Sequence, residues 1–435
     1  MKVLFSALIL LIAPLAFGQT FQFTHIVIIV QENRTPDDLF GSNPTFEPGV
    51  DLATSGLDSQ GQEVPLTAYS LVGCYDLGHT HASFLKEYNN GGMNGFNNVP
   101  VQLQKGCNAG TYAAYHYVDN SSGEVQPYFD MATSYGWANY FFQTNQGPSF
   151  PAHQFIVSGT SAPSNTSPLF VAENPWNGSD GAGCDAPPDA WVYTINSQGQ
   201  YGTTFPCFTR ASIIDELVEA GLTWRYYSPN PQVLWDAPQA LTSYYQSPDV
   251  ILKPSQVLKD IAKCNLANMV WITPTGLNSD HPSGNDGGGP AWVSSIVNAI
   301  GSNPACKSGE VYWNDTAILI TWDDWGGWYD HVMPPPLPQD GWGQAYIYGF
   351  RVPMLVVSAY TPAGYVDNGT HDFGSFLRFT ENNFGLSLIG PGNWADSYAD
   401  DLSSFFTLTQ PRSFVQIPAP TRDFDSQPLT DPDDD

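Results

Sequence analysis

Positive charge is scarce in this chain. Of 435 residues, 14 are Lys or Arg against 42 Asp or Glu, a formal net charge of -28. Such a surface repels phosphate backbones and anionic lipid headgroups, which excludes nucleic-acid binding and adhesion to an acidic membrane. An anionic substrate is admitted only where something locally positive offsets the field, and a metal ion is the obvious source. The plain reading of the acidity is solubility outside the cell. Long apolar runs are missing beyond the N-terminus. There, "MKVLFSALILLIAPLAFGQT" places Lys2 before a short run broken by Pro14 and ending in the small residues Ala16 and Gly18. That is the layout of a signal peptide over residues 1–18, too short to span a bilayer. The expectation is an exported protein, secreted or periplasmic, without stable membrane insertion. Several reaction motifs are also lacking: no GK dipeptide, no G-x-S-x-G and no H-E-x-x-H. Their absence excludes a Walker loop, a hydrolase nucleophile elbow and a zincin helix. The 6 cysteines include no CxxC pair. That argues against a structural zinc site and for three disulfides, paired in sequence order as Cys74–Cys107, Cys184–Cys207 and Cys264–Cys306.

What is present is a rhythm of apolar strands and amphipathic helices. Strands are expected at Thr24–Gln31, Leu222–Tyr227, Asn268–Thr273, Thr316–Trp322 and Val352–Ser358. Helices are expected near Ser212–Ala220, with a Ser212/Asp215 capping box, and at Gln256–Lys263, Ala291–Ile300 and Phe373–Phe384. Near-continuous apolar strands alternating with helices predict a doubly wound α/β fold, its mostly parallel sheet covered on both faces. The stretch from Gly41 to Pro206 is rich in Gly, Asn, Ser and Pro, and reads either as long insertions or as a separate small domain. Residues 19–415 are expected to form the catalytic domain, and 416–435 a mobile, acidic Pro/Asp-rich tail.

In an open α/β sheet, chemistry gathers at the carboxyl ends of the strands. Two polar clusters lie there: Glu32 and Asn33 in "HIVIIVQENRTPDDLFG", and Asp323 and Asp324 in "AILITWDDWGGWYDHV". Their oxygens are hard ligands, and a divalent cation would explain why such like charges converge. The plainer alternative is a helix cap and a turn. His79, His281 and His331 stand in polar loops, "DLGHTH", "SDHPSGND" and "WYDHVMPP". Neutral imidazole can ligate a metal, and imidazolium can bind phosphate or protonate a leaving group. Ser149, in "GPSFPAHQFIVSGTS", offers a hydroxyl that a metal could activate, or an ordinary turn serine.

Five ordered segments carry a family resemblance. "HIVIIVQENRTPDDLFG", "GPSFPAHQFIVSGTS", "SDHPSGNDGGGPAWV", "ITWDDWGGWYDHVMPP" and "GFRVPMLVVSAY" resemble motifs of the phosphoesterase family that holds bacterial phospholipases C and a class of acid phosphatases. The resemblance spans Thr24 to Phe384. It implies an alkaline-phosphatase-like fold and a divalent metal ion held by Glu32, Asn33, Asp323 and Asp324. It makes Ser149 the metal-contacting nucleophile. His79 (or its neighbour His81), His281 and His331 would contact the phosphoryl group or donate a proton. The sequence departs from the family pattern at Thr35, where Ser is frequent, at Asp324, where many members carry Glu, and at Ala152-His153, where Asn-Arg is usual. The implied function is hydrolysis of a phosphate ester, with a phospholipid favoured as substrate. An acid phosphatase acting on small monoesters is the alternative, and a binding protein of the same fold with weakened catalysis is a further one.

Overall fold

A computed structural model of the chain describes residues 22–229, 234–337 and 348–425. Eight strands form the central sheet: β1 (His25–Gln31), β2 (Gly136–Phe142), β3 (Trp224–Tyr227), β4 (Val250–Ile251), β5 (Met269–Ile272), β6 (Thr316–Trp322), β7 (Met354–Val357) and β8 (Tyr365–Asp372). Their spatial order is β4-β3-β5-β1-β6-β7-β2-β8. All run parallel except β7, which is antiparallel to both β6 and β2. The seven co-directional strands therefore end on one edge. β1 and β6 lie side by side in the middle, fully buried, as their apolar sequences require.

Helices α1 (Pro36–Phe40), α2 (His81–Tyr88), α3 (Gln126–Ser134), α4 (Ser149–Ser158), α5 (Ile213–Glu219), α6 (Gln256–Ala262), α7 (Gly289–Gly301) and α8 (Phe373–Phe384) accompany the sheet. Those that flank it touch in two sets, α3 and α6 with α7, and α5 and α8 with α4. These are the two covering layers expected of a doubly wound fold. The expected box at the start of α5 is present: the Asp215 carboxylate accepts from the Ser212 N–H at 2.7 Å.

β2 and β8 carry no strand signal as clear as that of β1. β2 sits in the stretch read as loop-rich. β8 is "YVDNGTHD", poor in strand formers, and its register slips between Asp367 and Thr370. Pairing to neighbours, not propensity, makes β8 a strand, whereas β2, "GWANYFF", holds four aromatic strand formers. The part of the Gly41–Pro206 stretch that lies before α3 is an insertion that shares its core with the sheet's active edge, whereas β2, α3 and α4 within the same stretch belong to the central sheet and its covering helices. The insertion's Tyr75, Leu77, Phe84, Phe96 and Tyr115 pack in one apolar cluster with Trp325, Trp328 and Tyr329, which follow β6.

The first half of the expected tail is largely exposed, but it is anchored at two points. Ile417 and Phe424 are buried, Ile417 exchanges two hydrogen bonds with the Asn298 side chain, and Phe424 packs on Trp292. Two well-spaced apolar residues suffice to strap it down despite its Pro-rich composition. Residues 426–435 and the expected signal peptide lie outside the described residues. No helix among the described residues is long and apolar enough to cross a membrane.

Cysteine pairing follows sequence order, Cys74–Cys107, Cys184–Cys207 and Cys264–Cys306. Folded protein alkylated without reductant should therefore carry no label by mass spectrometry. Two or more labelled cysteines in native material would contradict the three-bridge arrangement.

Candidate active site

β1 and β6 are paired in register to their last residues, Gln31 opposite Trp322. Glu32 and Asp323 come next on adjacent strands, tied by an Asp323 N–H to Gln31 carbonyl bond of 2.9 Å. The chain then bends sharply at Asn33, whose φ of 60° is left-handed. That bend brings the Asn33 N–H to Asp323 Oδ1 at 3.2 Å. Across from it, Gly326 has no room for a side chain: a Cβ there would lie 2.4 Å from the Asn33 carbonyl oxygen. The Asp324 carboxylate is oriented by the Gly326 N–H at 2.7 Å.

Ser149 arrives from a third element. It is the first residue of α4, after the β2 strand end. Gln143 and Asn145 each donate a side-chain amide to the Gly147 carbonyl at 3.1 Å. Gly147 is pressed so closely to the Ala172 carbonyl that a Cβ would come within 2.2 Å. This fixed turn aims Ser149 Oγ at the acidic cluster, 3.2 Å from Asp324 Oδ2 and 3.4 Å from Glu32 Oε2. Its position also puts the positive end of a ten-residue helix beside the hydroxyl, a favourable field for an anion, although Pro151 has no N–H and the Phe150 N–H is given to Asn174 Oδ1 at 3.0 Å.

His79 and His281 complete the group, their ring centroids 6.1 Å apart. Each Nδ1 meets a backbone carbonyl, that of Leu77 at 2.7 Å and of Pro282 at 2.8 Å. A carbonyl only accepts, so Nδ1 carries a hydrogen in both rings, and in the neutral form Nε2 is the acceptor. The Asn33 amide lies 3.3 Å from His79 Nε2. His81, the alternative to His79, instead starts α2 and contacts the Gln146 carbonyl at 3.0 Å. It supports the Ser149 turn.

Arg34 and Thr35 hold the frame. The guanidinium binds Asp38 and the carbonyls of Leu71 and Asp280, so it anchors the loop that bears His281. Thr35 caps α1 through the Asp38 N–H and donates to the Tyr329 carbonyl.

The residues present fit a divalent cation. Glu32, Asn33, Ser149, Asp323 and Asp324 are all fully buried. Ligand atoms of Glu32, Asp323 and His153 lie within 4.8 Å of one another. Asn33 Oδ1 and Asp323 Oδ2 are buried without a hydrogen-bond partner among the described residues. Buried carboxylates this close, with oxygens left over, are the donor chemistry of a hard or borderline metal ion. His153 was legible in the sequence only as a departure from the family pattern. The signal that would have found it is its spacing, four residues after Ser149 on one helix face.

The phosphoesterase-family profile matches residues 23–387. The chain belongs to the Phosphoesterase family. It is 25% identical to a non-hemolytic phospholipase C of Pseudomonas aeruginosa over 91% of this chain and 59% of that one. It is 23% identical to phospholipase C A of Mycobacterium tuberculosis over 91% of this chain and 79% of that one. Non-specific phospholipase C6 of Arabidopsis thaliana is 30% identical over 37% of this chain and 35% of that one. The chain thus spans 59% of the length of the Pseudomonas relative. A solved structure from Vibrio parahaemolyticus, described as a protein in the alkaline phosphatase superfamily, aligns over 88% of this chain and 70% of that one with 8% identity and a TM-score of 0.38.

His331 is the one expected site residue of this phosphoesterase chain that the fold does not bring to the group. Its Nδ1 meets Asp37 Oδ2 at 2.7 Å and its Nε2 meets Asp51 Oδ1 at 3.2 Å. Arg351 completes this network by pairing with Asp330 at 2.9 Å. Burial disfavours the His331 imidazolium, but the hydrogen bond and charge of Asp37 and the charge of Asp330 outweigh it and raise its pKa to about 9. Both nitrogens are engaged by carboxylates, which leaves none for a phosphoryl group. Asp37, Asp330 and His331 are themselves close enough to resemble a metal cluster, but Arg351 and the imidazolium already supply the cations.

A pKa raised above the unfolded value contributes stability that is complete below about pH 6.5 and is lost as the pH rises through about 9. His331→Gln should therefore lower unfolding stability by about 1.5–3 kcal/mol at pH 6. The deficit should shrink between pH 6.5 and 9, as read from urea midpoints across that range. A deficit that is flat with pH would show that the imidazolium charge is not what stabilises this network.

Proposed function

We propose that this chain is an exported, metal-dependent phosphoric-ester hydrolase of the phospholipase C type, acting through a phosphoserine intermediate. The observation that carries the reading is the convergence of the Ser149 hydroxyl with Glu32, Asn33, Asp323 and Asp324 at the strand ends. Family membership and the phospholipase C relatives support the reaction class. Three disulfides support an oxidising compartment.

Glu32, Asn33, Asp323, Asp324 and Ser149 would hold a divalent cation, which when bound lowers the pKa of a neighbouring hydroxyl and offsets the charge of the phosphoryl oxygens. Ser149 Oγ attacks phosphorus in line with the leaving oxygen. Its proton is already directed at the Asp324 and Glu32 carboxylates. The bond from phosphorus to the leaving alkoxide breaks, and His79 or His281, entering the step as an imidazolium with its second hydrogen on Nε2, gives that hydrogen to the alkoxide. Water then attacks the phosphoserine and passes its proton to that now neutral imidazole, while the Ser149 Oγ–P bond breaks and the serine oxygen takes back the proton held by the carboxylates. The α4 N-terminus and Asn33 orient the phosphoryl group.

A cavity of ≈ 1010 Å³ opens beside the site, lined by His79 and by Pro148, the residue before Ser149. Its lining also includes Trp176, Trp191, Tyr193, Glu173 and Asp180. Aromatic faces with carboxylates suit a cationic amino-alcohol headgroup, and the volume exceeds the needs of a small monoester. Both features favour a phosphodiester lipid over an acid-phosphatase substrate.

Purified enzyme should hydrolyse p-nitrophenyl phosphorylcholine faster than p-nitrophenyl phosphate. Faster monoester turnover would make the acid phosphatase reading the better one. Extensive chelation should remove activity from both substrates, and Asp323→Ala should lose metal content and turnover together. A chelated, metal-free sample with full activity would sink the metal-dependent reading.

Ser149→Ala should keep the fold and the metal but lose roughly three or more orders of magnitude in kcat. Acid quenching of the wild type should trap substrate phosphorus on the peptide containing Ser149. Label on Thr35 or a histidine would reassign the nucleophile, and wild-type turnover by Ser149→Ala would replace the covalent route with direct attack by water.

A further inference from the structure

We infer that His153 is a nitrogen ligand of the cation, so that the site selects a first-row transition ion over Ca²⁺ or Mg²⁺. This rests on the metal-dependent reading above and goes beyond its all-oxygen ligand set. His153 is fully buried on α4, one helical turn beyond Ser149, and faces the same strand ends. Its Nε2 lies 3.6 Å from Glu32 Oε1 and 3.7 Å from Asp323 Oδ2. Those separations are too long for hydrogen bonds. They are what two donors show when each reaches one ion at about 2.0–2.2 Å.

The other face of the ring decides which atom carries the hydrogen. Nδ1 lies 3.3 Å from the Tyr226 hydroxyl, and that hydroxyl donates its own hydrogen to the Trp235 carbonyl at 2.5 Å. Tyr226 Oη is therefore left as an acceptor toward His153, and Nδ1 is the N–H. In the neutral ring the Nε2 lone pair then faces two carboxylates. That arrangement is repulsive unless a cation sits among them. The chain Trp235 carbonyl, Tyr226 hydroxyl, His153 Nδ1 is the outer hydrogen bonding that fixes ring orientation and tautomer in histidine metal sites. An independent sign comes from the partnerless buried oxygens of Asn33 and Asp323, which belong to the same cluster.

An imidazole added to carboxylate and amide oxygens changes what the site prefers. Oxygen-only sets suit Ca²⁺ and Mg²⁺, whereas imidazole with carboxylate suits Mn²⁺, Fe²⁺ or Zn²⁺. Against this stands a protonated His153 that merely pairs with Glu32 and Asp323 and touches no metal.

The two arrangements separate by pulsed EPR on the metal-stripped full chain reloaded with Mn²⁺. Directly coordinated ¹⁴N should appear in the wild type and persist in His79→Gln and His281→Gln. It should vanish in His153→Gln, with Mn²⁺ affinity falling by about 10–100-fold and Ca²⁺ affinity by less than about threefold. If His153→Gln does not fold, the wild type and the other two variants still decide by elimination. Bound Mn²⁺ without nitrogen coupling, or coupling lost in His79→Gln or His281→Gln, would overturn the assignment of His153 and leave the metal-dependent hydrolase intact. A wild type that binds no Mn²⁺ would overturn this inference, and one that binds no divalent ion at all would overturn both.

Discussion

The parallel pairing of β1 with β6 is the constraint on which the site depends. Once Gln31 and Trp322 are opposite one another, Glu32 and Asp323 must leave the sheet side by side, with Asp324 next. Backbone hydrogen bonds along two fully buried strands enforce that register. Because both faces of these strands are buried, a slip of one residue would exchange the faces and break the fitted packing of every side chain. The fold thus spends hydrophobic burial to force carboxylates together in a place where they would otherwise repel. Buried like charges are tolerated when something positive joins them, and the orphaned oxygens of Asn33 and Asp323 mark where.

Division of labour within one short segment follows from the same geometry. In Glu32-Asn33-Arg34-Thr35, the left-handed turn at Asn33 sends the first two side chains to the site and the next two back into the frame. Arg34 then reaches the Asp280 carbonyl, so the segment that supplies two site residues also positions the His281 loop. The insertion after α1 extends this economy. Its apolar residues pack with the tryptophans that follow β6, which ties the loop carrying His79 to the loop carrying Asp323 and Asp324.

The acidic surface and the site make opposite demands. A net charge of -28 keeps the chain soluble but disfavours an anionic ester at every distance. In the proposed mechanism local features offset this field: the α4 N-terminus, the imidazoles of His79 and His281 when protonated, and the cation that the carboxylates would hold. The histidine–carboxylate–arginine network around His331 is a separate device. It neutralises Asp37, Asp330 and Asp51 from within and holds the turn after β6 without facing the substrate side.

Much of the fold was legible in the residues. The periodicity of β1, β5 and β6, the Ser212/Asp215 box and the order of the cysteines are local or near-local signals, and the structure carries them as expected. Glu32, Asn33, Asp323 and Asp324 were legible as well, because polar residues directly after apolar strands mark the chemical edge of an α/β sheet. Tertiary structure alone decided the rest. β8 is a strand because its neighbour supplies its hydrogen bonds, not because its residues prefer extension. The segment 416–425 is anchored because Ile417 and Phe424 are buried against the body of the protein, which its composition does not announce. His331 stands in a loop as polar as that of His281, yet two carboxylates from distant segments capture it. His153 looked like a mere departure until α4 was set against β1 and β6. Sequence specifies which groups a chain carries and their spacing along it, whereas a ligand set is defined by distances between segments that only packing brings within reach.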